Sequence, residues 1–62
     1  MNDEKRYATA HEQGRTARRG GKPRSANPYQ GSTKLVRDLH EQHELGWLAQ
    51  DSENAAARRR AR

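Results

Sequence analysis

What most narrows the folds open to this chain is where its side-chain bulk lies. Trp47 is the only tryptophan, there is no phenylalanine, and the first third of the chain sets Tyr7, Ala10, Gly14, Ala17 and Gly21 at spacings of three and four. Residues so spaced share one face of a helix. A face this small cannot form a core alone, but it lets a second helix approach closely. The economical packing sets Trp47 against Ala10, Gly14 and Ala17, where an indole supplies the volume those positions lack. At 62 residues and 29% apolar composition, one minimal core is the most the chain can build, because small domains bury a smaller fraction of their surface. A deep catalytic cleft is not expected at that size. With no cysteine, neither a disulfide framework nor a thiolate zinc site can reinforce the core.

The pattern predicts an all-α fold: two helices joined by an extended linker containing proline and glycine, with a flexible basic C-terminal tail. The first helix is expected over about residues 3–19. Asn2 or Asp3 caps it, and "GGKP" stops it with two glycines and a proline. Gly14 lies inside this helix at a cost of about 1 kcal/mol relative to alanine, which points to a packing role. The second helix is expected over about 33–52, capped by Ser32 or Thr33, with Leu35, Val36, Leu39, His43, Gly46 and Trp47 on one broad face. Leu45 and Leu48 fall off that face and are read as partly exposed or available to a partner. In the linker, 20–32, Pro28 pushes Asn27 toward extended backbone and Gly31 permits a sharp turn. The stretch "NAAARRRAR" contains good helix formers but has nothing to bury, so residues 55–62 read as a frayed or disordered basic tail.

Two motifs invite catalytic readings and do not sustain them. A phosphate loop requires lysine directly after glycine on a turn leading out of a strand; here the order is Gly31, Ser32, Thr33, Lys34, with no strand before it. In "HEQHE" the histidines His40 and His43 are three apart rather than the four of the zinc protease helix. No further ligand set supports a metal, and no cofactor, metal or catalytic residue is assigned. The N-terminus has no apolar run that could serve as a signal peptide or membrane span, so a cytoplasmic protein is expected.

Charge is more informative than motif. The net charge of +5 divides into +4 over residues 1–26, −3 over 27–54 and +4 over 55–62. A basic arm, an acidic arm and a basic tail suit a chain that folds its arms together and offers the remaining cations to a polyanion, of which nucleic acid is the usual one for such a chain. Arg15, Arg18, Arg19 and Lys22 form a stripe beside the small face. With Arg24 and Lys34 they are the expected phosphate contacts, and Arg58, Arg59 and Arg60 add affinity without reading sequence. Tyr29, in a linker flanked by cations, either packs on the helices or stacks on an RNA base.

These residues also carry a resemblance. The run "AHEQGRTARRGGKPRSANPYQ" resembles the first half of ribosome modulation factor, a small bacterial protein that silences ribosomes in stationary phase, and of the related CrpP-type proteins. The similarity lies in Ala10, His11, Gly14, Ala17 and Gly21, then Pro28, Tyr29 and Gln30, with Gly46 and Trp47 similar to the family's aromatic-glycine signature. It covers roughly residues 7 to 51. The resemblance implies two helices, no enzymatic activity, and binding to ribosomal RNA of the small subunit near the messenger path, inhibiting translation. Two other readings remain: the ATP-dependent antibiotic modification described for CrpP-type relatives, and a phage or plasmid adaptor that binds an acidic host protein.

Overall fold

The structure, a computed structural model, describes residues 3–60. It is all-α: α1 spans Asp3–Arg19, a short 3-10 turn spans Arg24–Ala26, and α2 spans Lys34–Arg60. Asp3 is the first residue of α1, and Asn2, the other expected cap, lies outside what is described, as do residues 61–62 of the tail.

The two helices run in the same direction. As α1 advances from Tyr7 through Arg18, its partners on α2 advance with it: Tyr7 donates to Asp38 at 3.4 Å, and Arg18 reaches Asp51 at 2.8 Å. A parallel pair requires a connection that travels back the full length of the first helix. Seventeen residues of α1 measure about 25 Å. The linker of residues 20–33, at about 3.3 Å per extended residue, covers that distance with slack. It docks as it returns. The Trp47 indole N–H donates to the Lys22 carbonyl at 2.8 Å, and further along Asn27 Nδ2 donates to the His40 carbonyl at 2.9 Å.

Both helix ends that face the linker are capped as their sequences dictate. Past Arg19 the Gly21 N–H bonds the Arg18 carbonyl and the Lys22 N–H bonds the Ala17 carbonyl, at 3.1 and 2.9 Å, with Gly21 at φ +78°. That is a Schellman closure, and its left-handed position needs glycine. Thr33 caps α2, its Oγ1 accepting the Val36 N–H at 3.2 Å, which decides between the two hydroxyls considered.

The seam is narrower than the sequence suggests. Ala10 is fully buried, Gly14 and Gly46 are buried, and Leu39, His43 and Gln50 complete the buried α2 side. A Cβ on Gly14 would sit 2.8 Å from the Trp47 backbone nitrogen and nearer still to the His43 carbonyl oxygen; one on Gly46 would sit 2.8 Å from the His11 carbonyl carbon and nearer to its oxygen. The two glycines therefore hold the helix backbones in direct contact. This corrects the expectation that the Trp47 indole fills the small face. Backbone fills the space over Gly14, while the indole, half-buried, lies along the linker with the Arg18 guanidinium 5.3 Å from its ring centre.

A second correction concerns the tail. Helix α2 does not end near residue 52 but continues through Arg60. Alanine is the best helix former, and arginines in a last turn face the negative end of the helix dipole, so Ala55–Arg60 propagate a helix already nucleated upstream. Because Arg19 lies beside Gln50, this last stretch projects past the end of α1.

Candidate functional site

The expected RNA-contacting cations separate into two groups. Arg15 is paired with Glu53, Arg18 with Asp51 at 2.8 Å, and Arg19 donates to Gln50 Oε1 at 3.1 Å and to Glu12 at 3.3 Å. Arg15 and Arg18 thus pair with acids of the second helix, and Arg19 with an acid of its own helix. The Arg18 guanidinium, held over the Trp47 ring as well, is the most constrained of the three. Each serves as a cross-link between or along the helices.

Tyr29 is also committed. Its hydroxyl meets Gln13 Oε1 at 2.5 Å, its ring stands edge-on to His43 with centroids 6.0 Å apart, and its carbonyl is 2.9 Å from His40 Nδ1. Of its two expected roles, the contacts with Gln13, His43 and His40 support packing. Lys34 extends into solvent but bonds Asp38 at 3.0 Å. That hydrogen bond and charge hold the Asp38 carboxyl below its ordinary range and raise the Lys34 ammonium. The "GSTK" stretch is accordingly a helix cap followed by an intrahelical ion pair.

The remaining cations have no such partners. Lys22, Arg24, Arg58, Arg59 and Arg60 are exposed, and no ion pair holds them among the described residues. Lys22 lies beside Trp47, and Arg24 is two residues further along the linker. Lys22 therefore lies near the end of α1, and Arg24 lies on the linker as it turns back toward the start of α2. Lys22 lies just past the C-terminus of α1, and Arg58, Arg59 and Arg60 lie in the last turn of α2, so each group sits by a negative dipole end.

Two buried polar residues escaped the sequence reading. Asn27 bonds the α2 backbone with its amide N–H, while its Oδ1 accepts the Tyr29 N–H at 2.9 Å. Gln50 joins Arg19 to Asn54. An asparagine before proline does signal a side-chain-closed turn, but the sequence has no sign that it docks on a helix thirteen residues away. His43 is only 3% exposed, its Nδ1 lacks a partner, and burial followed by the nearby His40 pushes its pKa down. Among the described residues no group of three His, Cys, Asp or Glu side chains gathers to hold a metal, and no helix is long and apolar enough to cross a membrane. Comparison with protein family models, curated proteins and solved structures finds no match to this chain.

Proposed function

We propose that this protein is a non-enzymatic, cytoplasmic RNA-binding protein that associates with the ribosome through ribosomal RNA of the small subunit and inhibits translation. The observation that carries the reading is the projecting end of α2. Arg58, Arg59 and Arg60 stand on a helix beyond the last acidic residue, Glu53. Cations without ion-pair partners among the described residues are what a phosphate backbone needs, and counterion release supplies the affinity without base reading. The resemblance to ribosome modulation factor directs this cationic end to the ribosome.

Co-sedimentation with ribosomes over a salt series tests the reading. Changing Arg58, Arg59 and Arg60 together to Gln should weaken association and flatten the log–log salt dependence by about 2 to 3 units, the loss of about three phosphate contacts, while the helical circular dichroism stays unchanged. If the triple variant and the parent show equal affinity and equal salt slope, the projecting end is not the RNA surface.

A further inference from the structure

The outer face of α2 carries the only large apolar side chains the fold leaves substantially exposed among the described residues: Leu45 at 46% and Leu48 at 39%. At 100° per residue, Glu41, Leu48, Ser52 and Arg59 fall within roughly 40° of one another, about half a turn from the buried Leu39, His43, Gly46 and Gln50. All four are exposed. Neither Glu41 nor Arg59 has an ion-pair partner among the described residues. The face thus reads, along the helix, acid, two leucines, a small polar residue and base.

Such an order is complementary to itself when reversed. Laid antiparallel on a second α2, with Glu41 opposite Arg59 of the other copy, the helix also sets Leu45 opposite Ala55 and Leu48 opposite Ser52. A bulky residue then meets a small one at each step. A two-fold axis repeats every contact, so two Glu41–Arg59 pairs close the ends of the seam. A parallel arrangement would oppose like charges at both ends.

We propose that two copies of this chain associate through the outer faces of α2, antiparallel, around Leu45 and Leu48. The pattern of charge selects a second copy over an unrelated partner, since both members of each ion pair come from the same face. Arg58 and Arg60 lie about 100° to either side of Arg59, so they stay clear of the seam and remain available to a polyanion. Two half-exposed leucines per copy make a small interface, in the weak, transient class.

Sedimentation equilibrium of the full chain from micromolar to millimolar concentration at low salt should show the mass rising toward that of a dimer and not beyond. Leu48→Glu should abolish the rise. Glu41→Arg and Arg59→Glu should each weaken association on the order of tenfold by placing like charges opposite one another twice. The double variant carrying both changes restores the pairing in reversed sense and should recover the parent's association. All three changed positions lie on the exposed face, and circular dichroism confirms that each variant is folded. A parent that stays monomeric throughout, an assembly that grows past the dimer, or a double variant no better than either single one would each overturn the proposal.

Discussion

Helix α2 is two regions in one continuous element, and the two treat arginine in opposite ways. From Leu39 to Asp51 it is clamped to α1 and the linker, and there Asp51 and Gln50 take up Arg18 and Arg19. From Asn54 to Arg60 it projects, and its own arginines find no acid among the described residues. The side chains are chemically identical, and both groups occupy the C-terminal turns of their helices. What differs is whether an acidic helix runs alongside, so a basic run becomes cross-link or surface according to its neighbour.

The largest effect should come from the point where the clamped region is tightest. In an exposed helix, Gly→Ala stabilises by about 1 kcal/mol. At Gly14 and Gly46 the sign should reverse, because the added carbon meets the backbone of the facing helix, which cannot turn aside as a side chain could. Either Gly14→Ala or Gly46→Ala should cost about 3 kcal/mol or more, enough to unfold a chain this small. The reciprocal change in the projecting region, Ala57→Gly, should cost about 1 kcal/mol at most. Thermal melts followed at 222 nm would measure all three, and a raised melting temperature for either glycine variant would refute the backbone-to-backbone seam.

That seam shows where the sequence could be read and where it could not. The small face of α1 was legible from the spacing of Ala10, Gly14 and Ala17, and so were the helix stop at Gly20–Gly21 and the hydroxyl cap of α2. The partner of that face was misread as Trp47 because volume arithmetic assumes that a gap must be filled by a side chain. A second glycine, Gly46, lets the backbone fill it instead. The fate of Arg15, Arg18 and Arg19 was hidden for a different reason. Whether they meet Asp51 and Glu53 depends on the helices being parallel, and that follows from a linker that returns along the pair, held by Asn27 and Tyr29 through contacts no local pattern encodes. The helical tail is not legible from burial, because alanine propensity and a favourable dipole suffice to extend an existing helix that has nothing to bury.

A smaller effect separates the two arginine groups directly. Changing Arg15, Arg18 and Arg19 together to Gln should lower stability by about 2 kcal/mol: partly exposed ion pairs contribute up to about 1 kcal/mol each, and the Arg18 stacking on Trp47 adds to this. The corresponding change of Arg58, Arg59 and Arg60 should leave the melting temperature within the range of ordinary surface substitutions, about 0.5 kcal/mol. Urea denaturation of both triple variants would rank them. Equal stability would mean that the network across the seam contributes nothing and that the contrast between the two groups is one of geometry alone.

The smallest effect is one of pH, and it arises from His43 within the clamped region. The ring is buried against α1 with Tyr29 at its edge and His40 nearby, and burial first, then the charge of His40, lowers its pKa below the ordinary value of about 6.5. A histidine that is harder to protonate when folded leaves the unfolded chain binding more protons as the solution acidifies. Stability is therefore fully present above the unfolded value of about 6.5 and declines as pH falls below it, by no more than about 1.4 kcal/mol per pH unit for one group. The decline ends once the folded pKa is passed. Measuring stability between about pH 7.5 and about pH 5.5 stays above the lowered range of Asp38, so that carboxyl does not contribute. His43→Gln removes this titration while leaving His11 and His40 in place, and the variant should show a flatter profile than the parent across that window. If the two profiles are parallel, the buried His43 is not the source of the acid sensitivity, and the clamped and projecting regions of α2 would respond to pH alike.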